Sequence, residues 1–336
     1  MSGCTRAWPV KLLLELSMEC ESLARAEAMT AASALGGRSK IVTSGPGVLV
    51  METPADPKAL VSRLALCHHV SEFLGECGQK EVESCAGSVD VPGPIRVRST
   101  KIGESCVDLS SVSRRVGAVL GRSRGVDLHN PKSEVRIVFS DRVHIGRLIG
   151  SVDRSSFEKR KNRYMPYFYP ASLHPKFARA LVNITKVRHG ERLLDPFCGT
   201  GAIIVEASVI GLHAMGTDLS DKMIEGSRRN LAHVGVEAEL RRCDVGDIAR
   251  AVGKVQGIAT DPPYGKSTST NGESIPALYA RSFKAFSEAL DKGSRAAVVV
   301  PDKKLLEKAD AFELVDSHEL WVHRSLTRYF CVLSKT

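Results

Sequence analysis

Downstream of residue 170, short apolar runs alternate with stretches of helical periodicity, the pattern of strands and helices in a parallel, doubly wound α/β sheet. The runs end at Asp195, Asp218, Asp244 and Asp261, and further strands are expected over 296–300, 319–322 and 329–333. Four successive strands finishing in a carboxylate are informative, because ligands of such sheets bind outside the carboxyl ends of the strands. Upstream, the pattern predicts two smaller α/β units. The first has strands over 11–16, 41–43 and 48–51, an Ala-rich helix over 19–35 stopped by Gly36-Gly37, and a helix opened by Asp56-Pro57. The second has strands over 95–99, 135–139 and 142–150 around a helix over 110–120. Residues 76–94 carry Gly, Ser and Pro without sustained period. The expected organisation is therefore one unit over 1–75, a second over 76–155, a basic linker over 156–170 and the large sheet domain over 171–336.

Composition narrows the class. With 336 residues and 43% hydrophobic content the chain can build several compact cores. Its first apolar stretch, 10–16, is broken by Lys11 and Glu15 and is too short for a signal segment or a membrane span, so a cytoplasmic location is expected. Nine cysteines at irregular spacing, with no CxxC pair, suggest reduced thiols rather than a disulfide framework. The cluster Cys67-His68-His69 with Cys77 lacks the ligand spacing of a structural zinc site. It reads as a helix end with buried thiols, and no metal is expected. The net charge of +9 is uneven: residues 91–190 hold 20 Lys and Arg against 7 Asp and Glu, so the remainder is net acidic. A basic middle joined to an acidic end suits a polyanion-binding module attached to a catalytic one, although a solvated basic face would give the same count.

The chemistry concentrates in two motifs. Asp195-Pro196-Phe197-Cys198-Gly199-Thr200-Gly201 reads as a strand end, a glycine turn and a helix start. Gly199 and Gly201 let the backbone approach a ligand, Asp195 can accept from an ammonium group, and Asp218 is spaced to grip a ribose diol. With Phe197, Thr200 and Asp244 these positions suit a cofactor with an amino-acid head, a ribose and an adenine. A dinucleotide dehydrogenase is disfavoured, since Ala202-Ile203-Ile204 follows where a third glycine belongs, and Gly265-Lys266-Ser267 lacks the first glycine of a phosphate-binding loop. The second motif is Asp261-Pro262-Pro263-Tyr264. An exocyclic aromatic amine is a poor nucleophile because its lone pair is delocalised. A carboxylate at Asp261 and a rigid carbonyl at Pro262 can accept its two N–H groups and aim that lone pair at a methyl sulfonium. Pro263 stiffens the turn, and the Tyr264 ring is expected to stack on a base taken out of its helix.

These motifs resemble the class I amino-methyltransferases. The runs Tyr167-Phe168-Tyr169-Pro170, His174-Pro175-Lys176-Phe177 and Val322-His323-Arg324-Ser325-Leu326-Thr327-Arg328 are similar to the archaeal tRNA guanosine-10 N2-methyltransferase family. Arg96-Val97-Arg98-Ser99-Thr100-Lys101 and Val126-Asp127-Leu128-His129-Asn130-Pro131 resemble the THUMP RNA-binding domain, which this family carries behind a ferredoxin-like unit. The resemblance implies a Rossmann-like methyltransferase sheet, S-adenosyl-L-methionine as cofactor, tRNA as partner and one or two methyl groups on guanosine N2. It also implies a monomer, with a small activating partner protein an option. Asp rather than Asn at position 261 favours this family over related THUMP enzymes acting on guanosine 6 or on ribosomal RNA. Further rivals are DNA adenine or protein glutamine methylation and a noncatalytic RNA-binding protein. Arg96, Arg98 and Lys101 are expected to meet RNA phosphates, and a fragment beginning near Arg163 to fold and hold the cofactor alone.

Overall fold

In the computed structural model, which describes residues 10–103, 106–170, 172–265, 272–324 and 326–336, the chain divides into two compact units. In chain order the upstream part forms β1 (Val10–Leu16), α1 (Glu21–Gly36), β2 (Lys40–Gly45), β3 (Val48–Thr53), α2 (Pro57–Arg63), β4 (Cys67–Cys77), α3 (Val82–Ser88), β5 (Ile95–Lys101), α4 (Leu109–Arg124), β6 (Ser133–Phe139) and β7 (Val143–Ser151). Its strands make one seven-stranded sheet, ordered β2-β3-β1-β4-β7-β6-β5 and antiparallel except between β5 and β6.

The expected boundary at 75–76 falls inside β4, which pairs with β1 on one side and β7 on the other. Cys67 opens that strand instead of closing a helix. Pairing on both flanks, a long-range effect, decides the conformation there. Cys67 and Cys77 are buried, as expected. On α4, Val112, Val116 and Leu120 recur every four residues and pack with Ile95, Val135, Ile137 and Val143. Asp108 caps that helix by accepting from the Ser110 and Ser111 amides, and Gly125, at φ 74°, ends it.

The second unit comprises Ser22–Leu35, Arg63–Leu66 and everything from Asp153 onward. Its later elements are α5 (Arg154–Lys159), α6 (Pro175–Ile184), β8 (Arg192–Asp195), α7 (Ala202–Val209), β9 (His213–Asp218), α8 (Asp221–Val234), β10 (Glu239–Arg242), α9 (Ile248–Val252), β11 (Val255–Thr260), α10 (Ile275–Ala289), β12 (Leu290–Val300), β13 (Phe312–His323) and β14 (Leu326–Lys335). The sheet order is β10-β9-β8-β11-β12-β14-β13. Strands β10 through β12 are parallel, as expected of a Rossmann-like sheet. β14 runs antiparallel between β12 and β13, because the connection from His323 to Leu326 is far too short for a crossover. Leu194, Ile258, Val298 and Val300 from the strands meet Tyr279, Phe283 and Phe286 from α10 in the core.

Two expectations about this unit are corrected. The basic stretch at 156–170 is folded into it: Phe157 is buried, and the Arg160 and Arg179 guanidinium groups lie 5.0 and 5.5 Å from its ring centroid. Arg160 also donates at 2.6 Å to Glu206, a fully buried carboxylate on α7, while Arg179 forms a 2.7 Å ion pair with the same group at an angle outside hydrogen-bond geometry. The second correction concerns the fragment starting near Arg163, which would lack part of its own unit. Glu27 of α1 accepts from the Ala65 and Leu66 amides and from Asn183 on α6, and Arg63 donates to Asn183 and to the Val187 carbonyl. Burial pushes the Glu27 carboxyl up to about 7.

Candidate active site

A cavity of about 710 Å³ opens beyond the carboxyl ends of β8, β9 and β11. It lies at the topological switch point, where successive connections leave β8 in opposite directions, and its volume suits a cofactor with part of a substrate. The β8–α7 turn forms its floor. Gly199 and Gly201 have φ of 50° and 87°, and a Cβ on Gly201 would lie 2.9 Å from the Ser227 hydroxyl, so this turn requires glycine there. Thr200 is fixed between them: its hydroxyl meets Ser172 Oγ at 2.7 Å, and its carbonyl accepts from Asn230 Nδ2 at 2.9 Å. Asn230 also holds both backbone groups of Tyr167, which ties the aromatic segment ahead of α6 to the turn.

The carboxylates line this cavity at successive strand ends. Asp195 is buried, and its Oδ1 accepts from Thr260 Oγ1 at 2.7 Å and from the Phe197 amide at 3.1 Å, so Oδ2 remains for a ligand. Burial pushes its carboxyl up to about 7, with the charges of Asp261 and Asp218 adding to the rise. Asp218 accepts from the Gly199 amide through Oδ2 and from the Ser220 amide through Oδ1, and burial raises it as well. Asp244 stands two residues beyond β10 rather than at its end. Its Oδ1 takes the Gly246 amide at 2.8 Å and Nη1 of Arg281. Arg281 is itself held by Glu273 at 2.7 Å.

An ammonium at Asp195, a ribose at Asp218 and an adenine amine at the free oxygen of Asp244 match the chemistry of S-adenosylmethionine. A buried carboxyl raised toward neutrality is what an arriving cation would ionise. Cofactor affinity is accordingly expected to rise between about pH 6 and pH 8, with a proton released on binding near neutrality. Calorimetry in buffers of different ionisation enthalpy reads both, and a flat profile without proton release would remove Asp195 from that role.

Asp261 follows β11 directly. Its Oδ1 accepts from the Tyr264 hydroxyl, and its Oδ2 lies 3.9 Å from Nη2 of Arg328 on β14. Burial raises the Asp261 carboxyl against the opposing pull of Arg328 and of the Tyr264 hydrogen bond, and burial beside Asp261 raises Tyr264 far above the usual phenol range. The Tyr264 ring thus lines the cavity while its hydroxyl braces the carboxylate.

Of the residues expected to bind cofactor or perform chemistry, Asp195, Phe197, Gly199, Thr200, Asp218, Asp244, Asp261, Pro262, Pro263 and Tyr264 line this one cavity, and Gly201 shapes its floor. Sequence reasoning did not single out Ser172, Glu273, Arg281 or Arg328 as site residues. Arg328 sits in a run already noted for its resemblance, whereas nothing local marks Arg281. Arg96, Arg98 and Lys101 lie on β5 of the first unit. Arg96 is committed to Glu134 at 2.5 Å, and Arg98, more than half exposed, lies 3.6 Å from the same carboxylate. Lys266, Ser267 and Ser325, named in the motifs above, lie outside the described residues.

Fold and site together define a class I S-adenosylmethionine-dependent amino-methyltransferase. Residues 162–329 match the family described as RMKL-like, methyltransferase domain. The chain is 33% identical over 336 residues to a tRNA (guanine(10)-N2)-dimethyltransferase of Methanothermobacter thermautotrophicus, covering 97% of this chain and 100% of that one. It is 29% identical over 289 residues to the Pyrococcus abyssi protein of the same name, covering 82% and 85%. Among solved structures, TrmN from Thermus thermophilus shares the fold with a TM-score of 0.56 at 24% identity, covering 97% of this chain and 100% of the other. The chain belongs to the tRNA (guanine(10)-N2)-dimethyltransferase family.

Proposed function

We infer that the protein methylates the N2 amino group of guanosine 10 in tRNA, using S-adenosylmethionine. The observation that carries this reading is the Asp261-Pro262-Pro263-Tyr264 turn, set at the end of β11 against the carboxylates that suit the cofactor. S-adenosylmethionine supplies an electrophilic methyl group and leaves as the neutral thioether. Asp261 Oδ2 and the Pro262 carbonyl accept the two N–H groups of the amine, which directs the nitrogen lone pair at that methyl. As the N–C bond forms and the C–S bond breaks, the positive charge passes to nitrogen and is lost as a proton, for which Asp261 is the adjacent base. One N–H remains after the first transfer, so one of the two acceptors can still hold the amine for a second. A guanosine in a paired stem must be flipped to reach the cavity, at a cost of a few kcal/mol that backbone contacts offset.

Incubating an unmodified tRNA transcript with the protein and labelled S-adenosylmethionine is expected to give N2-methylguanosine at position 10 by nucleoside mass spectrometry. Label recovered only on a ring carbon or a ribose oxygen would reject the reading.

The first unit, with a ferredoxin-like and a THUMP portion, is proposed to grip the tRNA in support of this reaction. Its Arg96, Arg98 and Lys101 follow one another along β5. Replacing all three with alanine is expected to flatten the logarithmic salt dependence of tRNA binding by about 2 in slope, with Arg98 contributing more than the Glu134-paired Arg96. An unchanged slope in filter binding across a salt series would make them merely solvated residues. The eight described cysteines are free thiols, and no helix among the described residues is long and apolar enough to cross a membrane. The thiols support a reducing, cytoplasmic setting.

A further inference from the structure

Arg328 is not one of the groups that accept the amine protons, yet it stands beside Asp261, which is. It belongs to β14, the antiparallel strand beside β12, and lines the same cavity as Asp195, Asp218 and Asp261. Its side chain is 14% exposed, and its Nε is buried with no hydrogen-bond partner among the described residues. An unpaired guanidinium nitrogen in such a place is costly unless a ligand completes it. Its position relative to Asp261 is specific. Tyr264 occupies Oδ1, and the guanidinium stands beside Oδ2, the oxygen left for the amine.

We propose that Arg328 selects guanine by donating to O6 of the flipped base, while Asp261 and the Pro262 carbonyl accept from N2. Guanine carries O6 and the N2 amine on either side of N1–H along one edge, so a donor 3.9 Å from the amine's acceptor can span N1–H and reach O6. Arginine to guanine O6 is among the commonest specific base contacts, and adenine presents an amino group at that position instead. A site built to hydrogen-bond a substrate group rejects analogues that lack it more strongly than an apolar pocket does.

This inference rests on the guanosine N2 reading, and its test is separable from that of the reading. Two tRNAs are compared, one with guanosine at position 10 and one with 2-aminopurine riboside, which keeps the amine but lacks O6. The ratio of kcat/KM for the two is measured in wild type, Arg328→Met and Arg328→Lys. The loss of N1–H in 2-aminopurine is common to all three proteins and cancels in the comparison. The ratio is expected to fall on the order of tenfold to a hundredfold in Arg328→Met and by less in Arg328→Lys, which keeps the charge and one donor. A loss of equal size on both substrates would overturn the proposal, since a guanidinium that grips a phosphate or only holds Asp261 ionised acts on both alike. If Arg328→Met does not bind cofactor, the Lys variant decides by the same ratio, and an unchanged ratio overturns the proposal. Failure of the wild-type protein to methylate guanosine 10 at all would instead sink the functional reading.

Discussion

Asp261→Ala is expected to lower kcat for tRNA methylation by about a hundredfold to a thousandfold, with cofactor affinity changed by no more than about threefold. In the proposed reaction the Asp261 carboxylate, after β11, acts on charge that develops at the amine nitrogen, whereas Asp218, at the end of β9, is proposed to hold the ribose. Asp218→Ala should show the opposite pattern, weakening cofactor binding about tenfold or more. Single-turnover rates and calorimetric titration of both variants check this division, and equal loss of cofactor affinity in the two would contradict it. The acid side of the rate profile follows from the raised Asp261 carboxyl. The ionised form accepts the amine protons, so kcat rises with pH through a pKa above the ordinary aspartate value, and Asp261→Ala removes that limb.

The second large effect is on stability. Glu206 is fully buried and faces the guanidinium groups of Arg160 and Arg179, the latter itself 2% exposed. Glu206→Ala leaves two cations without their shared counter-charge, and a loss of about 3–5 kcal/mol is expected in denaturant unfolding followed by a probe in the second unit. The exposed Glu225, paired with Arg228 and Arg229 on α8, provides the contrast: Glu225→Ala should stay within about 1 kcal/mol. Similar losses in the two variants would mean that the buried cluster is not what holds α5, α6 and α7 together.

What could be read from the sequence was local. The glycine turn after Asp195 and the proline turn after Asp261 each declare their conformation within a few residues, and the strand–helix alternation places both at the carboxyl end of the sheet. The strands at 11–16 and 135–139 were legible because their apolar runs are short and bounded, and the one at 95–99 because apolar and basic residues alternate. β4 was not, since its conformation depends on β1 and β7, which lie far away in sequence. The partnership of Arg281 with Asp244 across 37 residues, and the approach of Arg328 to Asp261, are products of the sheet order; no local spacing encodes them. The Ala-rich stretch announced a helix correctly, but alanine periodicity does not say which core the helix joins.

That last point bears on synthesis. The helix containing Glu27 leaves the ribosome early, whereas its partner Asn183 is made only after the entire first sheet has emerged. Translation proceeds at about 5–20 residues per second, so this apolar helix waits several seconds on the nascent chain before the rest of its unit exists. The first sheet can pair its strands in the meantime; the catalytic unit completes itself last, and only on a chain that has kept its beginning.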